Sequence, residues 1–188
     1  MATEVTADAA IVLPENQSGN IEVSYAEGAP GTIVNLTTAS SDATVVLTGP
    51  VTLTGETATG FNFTFAQAAD LSVENTLRGG TILGANGDDS IGFVDGSVAS
   101  KNVIKLAEGA DSVTYGGEIR KTGSKVRMGT DGDADQVVVD SLKQVKQQKG
   151  LVIREFGAED TLLVNGKTYT QDNVKKANFH DKIIVKFD

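Results

Sequence analysis
Cysteine and tryptophan are absent from the 188 residues, proline occurs three times and histidine once. Without thiols there is no disulfide scaffold, no thiolate zinc site and no cysteine nucleophile. The single imidazole, His180, would have to act alone in any triad or metal centre. Beside Phe179 and Asp181 it reads most simply as a surface or capping residue. No apolar run approaches the ~20 residues a membrane-spanning helix requires, so membrane insertion is not expected. Basic residues are scarce in one half only. Residues 1–100 hold Arg78 against twelve acids, a charge of −11, while residues 101–188 hold fifteen basic and thirteen acidic residues, +2, for a net −9. That sign argues against nucleic acid as a partner. The asymmetry suggests two regions with different surroundings and would let copies pack head to tail, although a solvated acidic surface is the plainer account.

What is present is enough to fold. Hydrophobic residues make up 39% and charged residues 22%, which fits a globular chain with a core. The first half is rich in Thr, Val, Ala and Gly, and β-branched residues suit a pleated surface. Residues 1–20 have no basic leader region, and Ala9 to Leu13 is too short an apolar run for a Sec signal, so no Sec leader is expected; this stretch reads as an extended arm, lying on a neighbouring subunit or simply forming the first strand.

Short strands broken by turns account for nearly everything else. Ile21–Tyr25, Thr32–Leu36, Ala43–Leu47, Val51–Thr54 and Phe61–Phe65 alternate or run apolar, the last with three phenylalanines on one face. Later candidates are Thr81–Leu83, Val103–Leu106, Ser112–Tyr115, Gln136–Val139, Val152–Phe156, Thr161–Val164 and Lys182–Phe187. Asn165-Gly166, between two apolar runs, predicts a hairpin. Helix is expected only as two turns over Ser141–Lys149, stopped by Gly150, and one turn within Gln171–Asn178.

One phrase recurs: a glycine, an acidic corner, then Asp, any residue, aliphatic. It occurs at Gly87-Asp88-Asp89-Ser90-Ile91, Gly109-Ala110-Asp111-Ser112-Val113, Gly132-Asp133-Ala134-Asp135-Gln136-Val137 and Gly157-Ala158-Glu159-Asp160-Thr161-Leu162. The repeated aspartates lie 22, 24 and 25 residues apart, and Asp70 suggests a degenerate earlier copy. That period matches one coil of a β-solenoid, in which a lone coil cannot bury its aliphatics and stacked coils can. The expected consequence is one inward column of Ile91, Val113, Val137 and Leu162, with the Gly-Asp corners making the bends.

These corners resemble the nonapeptide repeat, G-G-x-G-x-D-x-U-x, of the RTX or haemolysin-type calcium-binding family. Gly84-Ala85-Asn86-Gly87-Asp88-Asp89-Ser90-Ile91-Gly92 departs from it only at Ala85, and the segment Val152–Leu162 looks like the one that closes such β-rolls. The resemblance covers about residues 80–165. It implies a β-roll in which facing loops share Ca2+ through Asp carboxylates and backbone carbonyls, although here the corners stand singly. Aspartates stacked at neighbouring corners repel. Either Ca2+ neutralises them or each is tied into its own Asx turn and points into water. The candidate ligands are Asp89, Asp111, Asp131, Asp133, Asp135 and Asp160. The run Asp131-Gly132-Asp133-Ala134-Asp135 places carboxylates at alternate positions, but Gln136 and Leu142 break the EF-hand pattern.

Catalytic machinery is missing from the pattern. There is no Gly-x-Ser-x-Gly elbow, P-loop, His-Glu-x-x-His or dinucleotide fingerprint, and Asp88 with Asp89 is better explained by a turn than by a glycosidase pair. The expectation is an all-β, non-enzymatic protein: an arm (1–20), an acidic Thr-rich β region (21–78) and a β-solenoid with a C-terminal cap (79–188), or one continuous domain. A β-sandwich over 20–75 is the alternative for the first part. Open solenoid ends call for capping or pairing, so self-association into a homo-oligomer and docking on a larger surface are expected. The function that fits is a bacteriophage virion surface or decoration (cement-type) protein bound to capsid or tail protein. The alternative is a secreted, RTX-like, Ca2+-ordered surface or matrix protein, with a polysaccharide-active β-helix enzyme third.

Overall fold
A computed structural model describes residues 3–6, 11–13, 20–24, 32–36, 39–40, 44–55, 57–120 and 123–187, as backbone alone before residue 44. The strands in chain order are β1 (Thr3–Thr6), β2 (Ile11–Leu13), β3 (Asn20–Ser24), β4 (Thr32–Leu36), β5 (Ala39–Ser40), β6 (Thr44–Leu47), β7 (Val51–Gly55) and β8 (Thr57–Thr59). They continue as β9 (Asn62–Phe65), β10 (Asp70–Val73), β11 (Thr76–Arg78), β12 (Thr81–Leu83), β13 (Ser90–Phe93), β14 (Val98–Ser100), β15 (Val103–Lys105) and β16 (Ser112–Tyr115). The last are β17 (Glu118–Arg120), β18 (Ser124–Arg127), β19 (Gln136–Val139), β20 (Leu151–Arg154), β21 (Thr161–Val164), β22 (Lys167–Tyr169) and β23 (Ile183–Val185), with one short helix, α1 (Gln171–Val174), before β23.

These strands stack into three parallel sheets, the faces of a β-solenoid. Sheet A runs β1-β3-β6-β9-β12-β15-β18-β20-β23, sheet B runs β2-β4-β7-β10-β13-β16-β19-β21-β22, and sheet C runs β5-β8-β11-β14-β17. Each complete coil contributes one strand to A, then B, then C. Parallel pairing of neighbours in A and B across residue 78 excludes a sandwich there, and within residues 1–20 the described strands β1 and β2 pair in these sheets, as the first-strand alternative has it. The solenoid therefore takes in the acidic half as well.

Inward side chains explain the stack. Sheet A lines up Val45, Phe63, Ile82, Ile104, Val126 and Ile153, all fully buried. On sheet B the expected column exists: Ile91 pairs with Val113, Val113 with Val137 and Val137 with Leu162, each fully buried. A second B column runs through Val73, Phe93, Tyr115, Val139 and Val164, and the Phe93 and Tyr115 rings stack 5.1 Å apart. Phe61, Phe63 and Phe65 all point inward. From Val45 onward coil length grows, from 18 residues between Val45 and Phe63 to 22 between Ile82 and Ile104 and 27 between Val126 and Ile153.

Two local expectations change. The two-turn helix over Ser141–Lys149 is a single 3-10 turn, Leu142–Gln144, with Ser141 as its cap. Helix stops there because Val145 is drawn fully inside, bridging in parallel to Ile119 and continuing face C. The Asn165-Gly166 hairpin does form, both residues having positive φ, and it turns β22 back antiparallel on β21. With buried Val174 and Phe179, the latter edge-on to Tyr169, this hairpin closes the end of sheet B.

Candidate functional site
The corner between sheets A and B carries the repeat. Each corner aspartate immediately precedes a B strand whose first inward residue is the aliphatic two positions later. Because the B strands are in register, Asp89, Asp111, Asp135 and Asp160 fall into one column, and none is more than 4% exposed.

Each carboxylate clasps the coil before its own. The backbone N–H of Ala69 donates to Asp89 Oδ1 at 2.8 Å, that of Asp89 to Asp111 at 2.7 Å, that of Asp111 to Asp135 at 2.9 Å and that of Asp135 to Asp160 at 3.1 Å. The second oxygens differ. Asp89 Oδ2 accepts from Ala85 N–H and Asp160 Oδ2 from Gly157 N–H, both at 2.7 Å and within their own corners. Asp135 Oδ2 is buried without a hydrogen-bond donor, whereas Asp111 Oδ2 faces Ala107 N–H of its own corner without reaching full hydrogen-bond geometry. At Asp135 the cause is visible in the corner. From Leu83 to Asp89, Lys105 to Asp111 and Arg154 to Asp160 the corner advances six residues, but from Arg127 to Asp135 it advances eight. The two extra residues carry the corner's backbone outward.

These aspartates are not Asx turns pointing into water, one of the arrangements considered above. They face inward and act as acceptors between coils. Burial raises all four carboxyls above the ordinary aspartate value, opposed by the backbone N–H donors. Asp111 is pushed up to about 7 and Asp135 to about 8, where the neighbouring carboxylates add to burial. Burial and the neighbouring carboxylates thus both favour the protonated form at these two positions.

Asp131 and Asp133 lie outside the column, on the exposed eight-residue corner. Asp131 makes the Asx turn proper, its Oδ1 accepting from Asp133 N–H at 3.0 Å, while Asp133 Oδ2 accepts from Gly109 N–H of the preceding coil at 2.9 Å. Asp88 makes an outer clasp in the opposite direction, its Oδ1 accepting from Ala110 N–H of the following coil at 2.9 Å. Beside the corner is an open recess of about 220 Å3, lined by Asp131, Asp133, Glu155, Glu159, Asp160 and Gln171 among others. Among the described residues, no three acidic or imidazole side chains converge closely enough to hold a metal ion. Asp70 is not an early member of the column: register sets it beside Ser90, which leaves Ala69 opposite Asp89.

Asn102 was missed at the level of sequence. Buried at the corner between C and A, it receives Gly80 N–H at 3.2 Å and donates to Leu77 C=O at 2.9 Å. Asn75, before β11, donates to Thr54 C=O at 3.1 Å. The available signal is an Asn placed just before a short β-branched run. His180 is exposed, with positive φ and its N–H on Asn178 Oδ1. Lys143, Lys146 and Lys149 are solvated, and Lys146 reaches Glu118 at 3.3 Å. Among the described residues no helix is long and apolar enough to cross a membrane. No protein-family model matches the chain, and neither the curated proteins nor the solved structures include a match to it.

Proposed function
We propose that this chain is a non-enzymatic structural module of a large assembly, of the virion surface or decoration (cement) type, where it binds capsid or tail protein. The observation that carries this reading is the use made of the acidic residues. The repeated aspartates are consumed in tying coil to coil, so the residues best suited to chemistry serve the frame instead. A stack so cross-linked resists deformation, and rigidity is what a part that reinforces a larger shell must supply. Size fractionation of the native source tests it. The chain is expected to run with large particles. A chain found free, or a polysaccharide-cleaving activity abolished by Asp88→Asn or Asp131→Asn, overturns the reading.

A second reading, a secreted Ca2+-ordered surface protein, draws on the buried second oxygen of Asp135, which has no hydrogen-bond donor. Under it, EDTA lowers the melting temperature by many degrees and Ca2+ restores it. Under the first reading, melting ignores both.

A further inference from the structure
In a stack of parallel strands, successive strands are related by translation, so the two ends of the stack are complementary rather than alike. Sheet B is closed at its far end by the antiparallel β22. Sheet A is not: its last strand, β23, pairs with β20 on one side, and among the described residues nothing pairs on the other. Beside β23 lies a groove of about 280 Å3, lined by apolar side chains that include Val174, Ile184, Val185 and Phe187. Its surroundings are basic. From Lys167 to Lys186 there are five lysines against Asp172 and Asp181, and Lys175 Nζ sits 4.6 Å from the Phe187 ring.

The opposite end of sheet A is β1, which among the described residues pairs with β3 alone. Its charge is the reverse. Residues 1–40 hold five acids and neither lysine nor arginine, and register sets Glu4 of β1 beside Glu22 of β3. We propose that the open edge of β23 and its apolar groove form a docking surface for the acidic N-terminal end of a second copy of this chain, so that copies stack head to tail along the solenoid axis. This rests on the assembly role proposed above and names a partner for it. The lysines flanking β23, Lys182 and Lys186, decide the orientation. Two such edges brought together repel, which blocks a symmetric cap-to-cap dimer, whereas an acidic strand end is attracted. A head-to-tail contact does not close on itself, so the product is an open series rather than one oligomer.

Sedimentation velocity on the purified full chain, over a range of concentrations at low and high salt, tests the proposal. The expected result is a series of dimers and longer species that grows with concentration at low salt and dissociates at high salt. The double variant Lys175→Glu/Lys186→Glu, both positions being exposed and Lys175 lining the groove, should remain monomeric while keeping its circular dichroism. A wild-type monomer at every concentration, a single closed oligomer, or association indifferent to salt and to the variant overturns the proposal. A monomer that still runs with large particles in the native source removes the stacking and leaves the assembly role. Stacking by a chain found free in that source does the opposite.

Discussion
The backbone N–H of Asp111 donates to the carboxylate of Asp135, 2.9 Å away and 24 residues further along the chain. One contact of this kind per coil converts a local turn residue into a clasp between coils. It also places like charges in a buried line, and protonation is the simplest release. The pH dependence follows. In the unfolded chain these aspartates titrate near 3.8, whereas folded Asp111 and Asp135 hold their protons to about 7 and about 8. The folded state therefore binds more protons through this interval, and stability must fall as pH rises through it. The contribution of these two groups is whole below pH ~4 and is lost by pH ~8. Melting temperature across pH 4 to 9 should decline from these groups, against the trend for salt-bridged carboxylates. A rise across that range would refute the protonated column.

Substituting asparagine separates the clasp from the charge. Asp111→Asn/Asp135→Asn keeps an oxygen for each backbone donor and abolishes the titration. At pH 9 the double variant should melt above the wild type, and its melting temperature should slope less with pH, Asp89 and Asp160 being the column carboxyls that still titrate. Asp111→Ala removes the acceptor as well, leaving the buried Asp89 N–H unpaired at a cost of about 1–3 kcal/mol. Urea denaturation at pH 5, where charge matters least, should rank Ala well below both Asn and wild type; equal stability of Ala and Asn would deny the clasp.

Gly109 offers a test of the corner that does not touch charge. Its φ is +124°, and an added Cβ would lie 2.5 Å from the Gly87 carbonyl carbon of the coil before it. Alanine there meets both a disfavoured backbone region and a neighbouring main chain that cannot swing aside. Gly109→Ala should destabilise by more than about 1 kcal/mol. Gly92→Ala has open space and ordinary φ, and serves as the control. Matching denaturation midpoints for the two would mean that the corners pack less closely than described.

The parts of this fold that could be read in advance share one property: they repeat with a residue type that has few other uses. Asp-x-aliphatic marks the corner between A and B, so Ile91, Val113, Val137 and Leu162 could be placed in one column from spacing alone. Face C gave no such mark. Its strands are mostly three residues with one inward position, held by Ala58, Leu77, Ala99 and Ile119 in turn, too short to show alternation and too varied to show a repeat. The inward aspect of the aspartates was hidden for another reason. Polarity alone sends a carboxylate to solvent, and only the register of the neighbouring coil reveals the backbone donors waiting for it inside. Unequal coil lengths hid Asn102 similarly, since no fixed spacing links it to a partner.

Face C also supplies the sharpest test of the three-sided coil. Ile119 is fully buried between Ala99 above it and Val145 beyond, in a stretch where the sequence alone suggests helix after residue 141. If the third face is a true wall of the core, Ile119→Ala should cost about 2–5 kcal/mol, the range for cavities left by large aliphatics. Val145→Asp should do worse, because a carboxylate at that fully buried bridge position has lost its water with no donor assigned to it. Lys143→Asp, exposed on the 3-10 turn two residues earlier, should change the denaturation midpoint little. Were Val145→Asp as mild as Lys143→Asp, residues 141–149 would lie on the outside as a solvated helix, and the coil would have two walls there instead of three.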